Sequence, residues 1–252
     1  MICPYDDSGC SMIDTSDMTK PDCNDCPHKD KISVCIASIP ERESLLQMTV
    51  ESLRGQCDNI YVALNDYDHI PEFLKGYHTI ILSNDKGDAA KHYWSGFLKG
   101  FVLTCDDDLV YPSGYVKRMV AAVKKYKCAC TLHGRNYPET NGDTERITNF
   151  QRDFIGYPCL GTVLLDVKVD IGGDGVMCYH TDFLKVKYSD FLQKNMSQLY
   201  FSKLCKEQGV PIMCLSHVEG YLKYLYPADT IWDQSNREGF VKQTALLKEF
   251  LK

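Results

Sequence analysis

The stretch FVLTCDDDLVYPSGYV, Phe101 to Val116, ends an apolar run in three consecutive carboxylates, Asp106, Asp107 and Asp108, followed at once by a Tyr-Pro turn. Adjacent like charges repel, so a chain that sets them where a strand leaves the core needs a counter-charge there. Side chains alternate along an extended strand, which sends Asp106 and Asp108 one way and Asp107 the other. Two carboxylates on one side suit a hard divalent cation, Mn²⁺ or Mg²⁺, which takes oxygen ligands and also binds phosphate oxygens. The ordinary alternative is a solvated turn, and the position directly after the apolar FVLT argues against it.

The elements around the triplet alternate. KISVCIAS is a short, β-branched apolar run that reads as a buried strand. ESLLQMTVESLRGQ places Leu45, Leu46, Thr49, Val50 and Leu53 at helical spacing, with Gly55 as a stop. NIYVALND and HTIILSND are two more strands, GDAAKHYWSGFL reads as a helix, and GFVLTCDDD is the fourth strand. PSGYVKRMVAAVKKY is an amphipathic helix opened by a proline, and KCACTLHGR is a fifth strand. This β-α-β order predicts an α/β fold, a mostly parallel Rossmann-like sheet with helices on both faces, whose strand ends gather a ligand along one edge. Asp66, Asp85 and the Asp106–Asp108 cluster follow three of those strands and are expected to converge.

SVCIASIPERESLLQMTVESL, YVALND, NDKGDAAKHYW and VLTCDDDLVYPSGYV together resemble the nucleotide-binding half of GT-A fold glycosyltransferases, particularly the family 2-like enzymes. The resemblance runs from about Lys31 to Leu225. It implies a glycosyltransferase domain over 31–252, with a nucleotide-sugar-binding half at 31–135 and an acceptor half at 136–252. Ala37, Pro40 and Arg42 would line the nucleotide pocket, and Asn65, Asp66, Asp85 and Asp88 would approach the base or ribose. Gly87 would allow close backbone approach, with Lys91 near the diphosphate, and Asp107 is counted with this pocket. Asp106 and Asp108 would hold Mn²⁺ or Mg²⁺ against the diphosphate, with the late histidine His217 completing the metal site. Such a metal acts as a Lewis acid on the leaving nucleoside diphosphate.

In the second half, VDIGGDGVMCYHTDFL resembles the glycine-rich loop and following helix that cover the donor sugar, with Gly172, Gly173 and Gly175 permitting close approach. His133 would shape the pocket. Gln198 stands where similar enzymes commonly carry the acid that deprotonates the acceptor. An amide cannot take that proton, so Asp174, then Asp182, are the candidate catalytic bases. Otherwise the transfer retains configuration, or the chain binds without catalysing.

The implied activity is metal-dependent transfer from a nucleotide-sugar donor, a UDP-sugar, to a glycan or other hydroxyl acceptor. Alternatives are a phage-type enzyme acting on modified DNA bases and a non-catalytic nucleotide- or glycan-binding module. The chain has 252 residues, 44% hydrophobic and 25% charged, with net charge −6. That is enough to bury a core, and it counts against a broad polyanion-binding surface, although the basic KRMVAAVKKYK helix offers one place for DNA phosphates. A nucleotidyltransferase has a similar sheet and carboxylates but would show a glycine- and basic-rich loop after the first strand, and ASIPERES lacks it. No apolar stretch is long enough for a membrane span, and MICPYDDSGC has no secretory signal pattern, so a cytoplasmic protein is expected.

Of the thirteen cysteines, Cys35, Cys105, Cys128, Cys130, Cys178 and Cys214 sit in apolar runs as small buried hydrophobes. Cys3, Cys10, Cys23 and Cys26 differ, because residues 1–30 are rich in Asp, Ser, Thr and Pro and offer little to pack. A tetrahedral structural Zn²⁺ on these four thiolates would cross-link the segment. His28 in place of one cysteine, an iron-sulfur cluster, two disulfides and a loose tail are the alternatives. The zinc reading predicts about one zinc per chain by metal analysis, lost in a Cys23→Ser/Cys26→Ser variant. Full-length protein purified without metal and unchanged in protease resistance by these substitutions would contradict it.

Overall fold

In the computed structural model the apolar runs become the middle of one large sheet. The structure describes residues 30–137, 147–152, 154–228 and 230–251. Cys3, Cys10, Cys23 and Cys26, and with them the expected zinc module, lie outside the described residues.

Four expected strands form as β1 (Ile32–Ser38), β2 (Asn59–Asn65), β3 (His78–Leu82) and β4 (Phe101–Cys105). Between β1 and β2 lies helix α1 (Glu43–Leu53), which buries Leu46, Thr49, Val50 and Leu53, close to the stripe read from the sequence. After β4 come β5 (Leu109–Val110), helix α2 (Tyr115–Tyr126), β6 (Ala129–Thr131) and β7 (Gly134–Asn136). The second half adds β8 (Ile155–Tyr157), β9 (Val167–Val169), β10 (Ile171–Gly172), β11 (Val176–His180), helix α3 (Ser197–Glu207), β12 (Ile212–Cys214), β13 (Lys223–Tyr224), α4 (Ile231–Arg237) and α5 (Val241–Leu251).

The main sheet runs in the order β3-β2-β1-β4-β11-β6-β12-β9. Its strands are parallel except β11, which is antiparallel to both β4 and β6, and β9, antiparallel to β12. The flanking helices cover it, so β4 and β11 are buried along their whole length and read as unbroken apolar runs. This is the α/β, mostly parallel, Rossmann-like architecture expected. A second sheet, β10-β7-β8, and the pair β13-β5 stand beside it.

Two elements differ from the sequence reading. GDAAKHYWSGFL is not an α-helix: a short 3₁₀ run, Gly87–His92, gives way to turns. Gly87, Ala89, Ala90, Lys91 and His92 are all buried, so the segment lacks the solvent face an amphipathic helix requires. VMCYH, expected in a loop-and-helix unit, is instead the central strand β11, and all five of its residues are buried. All six cysteines assigned to apolar runs are buried free thiols. No helix among the described residues is long and apolar enough to cross a membrane.

Candidate functional site

The chain passes from β1 outward to β2 and β3, then returns to place β4 on the other side of β1. The carboxyl ends of β1 and β4 therefore splay at a switch point, where open α/β sheets leave a crevice. A crevice of about 480 Å³ lies there, lined by Ala37, Asn65, Asp88, Lys91, the Asp106–Asp108 triplet and Asp174. The first turn of α3, with Gln198, and residues of α4 and α5 form its other wall.

The triplet is held by cations of the protein itself. Asp107 is buried, and its carboxylate accepts from Ser38 Oγ at 2.6 Å and from Arg42 Nη1 at 3.0 Å. The same Arg42 nitrogen donates to Asp108 Oδ2 at 3.3 Å. Arg42 reaches both from a one-turn 3₁₀ segment opened by Pro40. Thr49 Oγ1 donates to the Asp107 carbonyl at 3.0 Å, which fixes the turn against α1. On the opposite side Lys91 Nζ donates to Asp106 Oδ1 at 2.5 Å. Tyr111 donates to the Gly175 carbonyl at 2.7 Å and accepts from the Asp106 amide at 2.9 Å, bracing β4 against the GGDG turn.

Beneath Asp106 the charges continue. Asp174 Oδ2 is 3.9 Å from Lys91 Nζ and 3.6 Å from His92 Nε2, and neither Oδ2 nor Nε2 has a hydrogen-bond partner. The His92 ring stacks on Phe191, centroids 4.2 Å apart. Asp88 accepts from the hydroxyl and the amide of Ser197 at the start of α3. Burial alone would lower the Lys91 pKa, but Asp106, Asp174 and Asp88 raise it, so the ammonium stays charged. Burial would raise Asp174, yet Lys91 and His92 hold it down to about 2. Burial, with Asp174 nearby, pushes Asp88 up to about 7. Burial pushes the His92 pKa down, favouring the neutral imidazole.

Several expected residues meet here and several do not. Ala37, Arg42, Asn65, Gly87, Asp88, Lys91, Asp106, Asp107, Asp108 and Asp174 all line the crevice. Pro40, Asp66 and Asp85 do not: Asp66 and Asp85 are exposed and serve their own turn, Asp66 accepting from the Asn84 amide at 3.0 Å and Asp85 from Ser83 Oγ at 2.7 Å. Asp182 is no candidate base in this fold. β11 runs against β4 so that His180 pairs with Phe101, which sets Asp182 beyond the opposite edge of the sheet. Asp174 is in place, but a carboxylate held near 2 is a poor proton acceptor at neutral pH. His217 is no metal ligand here, since its ring nitrogens face the Leu215 carbonyl at 2.8 Å and the Pro158 carbonyl at 3.1 Å. His133 is half-buried, its Nδ1 accepting from the Cys159 amide at 3.4 Å. Among the described residues no group of three or more His, Cys, Asp or Glu side chains is placed to hold a metal ion.

The glycines also act differently from expectation. A Cβ on Gly175 would lie 1.7 Å from Asp106 Oδ2, and one on Gly173 would lie 2.7 Å from His133 Cβ. The space they leave is filled by the protein's own side chains. Gly87, at φ +56°, lets Asn195 approach to where its Cβ would stand. Sequence reasoning missed Ser38, Asn84, His92, Tyr111 and Arg135. Only Tyr111 carried a signal, as part of the Tyr-Pro turn after the triplet. Asn65 donates to the Gly87 carbonyl at 3.0 Å, and its Oδ1, like Asn84 Oδ1, is buried without a partner. Both residues line the crevice.

No family model matches the chain, and no curated protein matches it in sequence. Among solved structures it is similar to 2-C-methyl-D-erythritol 4-phosphate cytidylyltransferase from Thermus thermophilus, at 14% identity and TM-score 0.42, covering 84% of this chain and 99% of that one. It is also similar to 4-diphosphocytidyl-2C-methyl-D-erythritol synthase from Anaerococcus prevotii, at 12% identity and TM-score 0.43, covering 85% and 99%. Neither is named a glycosyltransferase, so the glycosyltransferase expectation, with its nucleotide-sugar donor, glycan acceptor and modified-DNA variant, finds no support here and is not upheld. Of the residues expected to carry that chemistry, Asp174 lines the crevice, while Asp182 and His217 do not.

Burial, with Asp106 and Asp107 adjacent, pushes the Asp108 carboxyl up to about 7. In the unfolded chain it returns to about 3.9, so the ionised form opposes folding above neutrality and that opposition fades as the pH falls. Metal-free Asp108→Asn is therefore expected to melt several degrees above the wild type at about pH 8, the difference shrinking to nothing near about pH 4. Thermal melts across this range check it, and a difference independent of pH would contradict it.

Proposed function

We propose that the crevice binds a nucleoside triphosphate and that the chain is a nucleotidyltransferase. An acceptor oxygen attacks the α-phosphorus, the bond from that phosphorus to the bridging oxygen breaks, and pyrophosphate leaves with the electron pair; a phosphate acceptor attacks already ionised, and a hydroxyl acceptor gives its proton to water. The observation that carries the reading is Lys91, a buried ammonium at the switch point held charged by three carboxylates. A triphosphate entering there can take over from Asp106 as its partner, because phosphate oxygens compete well for an ammonium. Arg42, bound to Asp107 and Asp108 at the rim, supplies the second cation. These two residues do the work that a glycine- and basic-rich loop would do, which is why its absence from ASIPERES does not exclude the class. The activities named for the two solved structures lend no weight at their TM-scores; the reading rests on the crevice.

The donor set fits a small hard cation. Asp106 keeps a second oxygen not bound by Lys91, its side chain is 45% exposed to the crevice mouth, and Asp108 keeps one not bound by Arg42. Mg²⁺ is commonly bound by one or two carboxylates, with substrate phosphates and water completing its shell. When bound, such a cation would neutralise charge on the phosphates. Lys91 and Arg42 orient the phosphate chain, while Asn65 Oδ1 and Asn84 Oδ1 offer unpaired acceptors to donor groups of the nucleoside. Asp174 keeps Lys91 charged and in place and takes no proton itself.

Calorimetric titration with each common nucleoside triphosphate and Mg²⁺ is expected to give saturable binding for at least one of them. Lys91→Gln should weaken it by roughly tenfold or more, with Arg42→Gln acting in the same direction, since each removes a charge-assisted contact. Pyrophosphate release on adding phosphorylated or hydroxylic acceptors is the matching activity assay. Absence of triphosphate binding to wild-type protein, or unchanged binding in folded Lys91→Gln and Arg42→Gln, would refute the reading.

A further inference from the structure

Arg135 lies on the opposite wall of the same crevice, and the nucleotide site makes no use of it. Its strand, β7, is clamped on both sides, with Arg135 in register with Ile171 of β10 and Gly156 of β8. Its carbonyl accepts from the Asp170 amide at 3.1 Å. The backbone there is therefore fixed, and the side chain is only 7% exposed.

The guanidinium lies over the Phe150 ring at 4.3 Å and the Phe154 ring at 4.8 Å. Aromatic faces stabilise the cation but accept no in-plane hydrogen bonds, so its donors remain available at the edges. One edge meets Gln151: with the amide oriented to satisfy both neighbours, Oε1 accepts from Arg135 Nη2 at 3.0 Å and from Trp232 Nε1 at 3.2 Å. Tyr137 is a second polar partner, and the His133 imidazole is close enough to feel the Arg135 charge. Gln151 and Tyr137 are neutral, and no salt bridge joins Arg135 to a described carboxylate, whereas Arg42 in the same crevice has two. Burial pushes the Arg135 pKa down, against the pull of Tyr137. A buried, rigidly placed guanidinium with neutral partners and an open crevice beside it is a receptor short of its anion.

We propose that Arg135, with Gln151 fixing one side of its fork, is an anion subsite that binds a non-reacting phosphate or carboxylate group of the second substrate. Assignment to a second substrate rests on the nucleotidyl-transfer reading; the anion site itself does not. The planar fork favours two-point contact with either group. Trp232 and Gln151 tie the subsite to α4, so the C-terminal helices form part of the second-substrate wall.

The test titrates inorganic phosphate and, separately, acetate into the full chain, both free and saturated with nucleoside triphosphate, using wild type, Arg135→Gln and Arg135→Lys. Thermal melts establish that each variant is folded. Saturable anion binding is expected in both wild-type forms, weakened about tenfold or more by Arg135→Gln and less by Arg135→Lys, with triphosphate affinity unchanged. If Arg135→Gln melts far below wild type, Arg135→Lys carries the comparison, since it keeps the charge and loses the fork. Tighter phosphate marks a phosphorylated second substrate, and tighter acetate a carboxylated one; either supports the subsite. Equal anion binding by wild type and folded variants, or no anion binding by wild type, overturns it. A chain that binds no triphosphate yet loses anion binding with Arg135 would refute the nucleotidyl-transfer reading and leave the anion subsite standing.

Discussion

The structure depends on one buried ammonium. Lys91 is nearly inaccessible to water, and an isolated charge in that position would be strongly disfavoured. Asp106, Asp174 and Asp88 make it tolerable, and each arrives from a different part of the chain: the end of β4, the turn before β11, and the 3₁₀ run that carries Lys91 itself. Bringing them together requires β11 to lie antiparallel against β4, with Val176 opposite Cys105. It also requires a glycine at 175, because any Cβ there would collide with the Asp106 carboxylate. The crevice is thus shaped by the needs of a charge cluster, and its chemistry follows from that shape.

Two walls with different characters result. The strand-end wall carries carboxylates already matched to Arg42 and Lys91, an arrangement that phosphate groups and a small cation can enter by exchanging partners. The facing wall, from the β7 sheet and the C-terminal helices, is built from Phe150, Gln151, Trp232 and Phe240 around Arg135. On the proposed nucleotidyl-transfer reading, each wall would recognise one of two substrates, and holding both in one orientation would lower the barrier to their reaction.

Much of the first half was legible from local pattern. The strand runs KISVCIAS, NIYVALND, HTIILSND and GFVLTCDDD became β1 to β4, and the Asp triplet does sit at the switch point, because period and burial there follow from adjacent residues. What failed depended on distant contacts. GDAAKHYWSGFL has the composition of a helix, but Lys91 and His92 turn inward to meet Asp106 and Asp174, and no window of sequence shows those partners. GGDGVMCYH reads equally as a loop-helix or a turn-strand until β4 is known to be its neighbour. The sequence placed the triplet at the switch point but did not show that Arg42 and Lys91, from other segments, would be its partners there. Arg135 carries no sequence signal at all: that no described carboxylate pairs with it is visible only in three dimensions.

On the proposed reading, phosphate groups enter beside Lys91. Backbone amide chemical-shift mapping on adding a nucleoside triphosphate with Mg²⁺ tests it most directly. The account predicts the largest shifts at Ser38 to Arg42, at Lys91 and His92, at Asp106 to Asp108 and at Asp174, with the exposed turn at Asp66 and the far edge at Asp182 little changed. Shifts centred instead on α2 or on the Asp182 edge would contradict it.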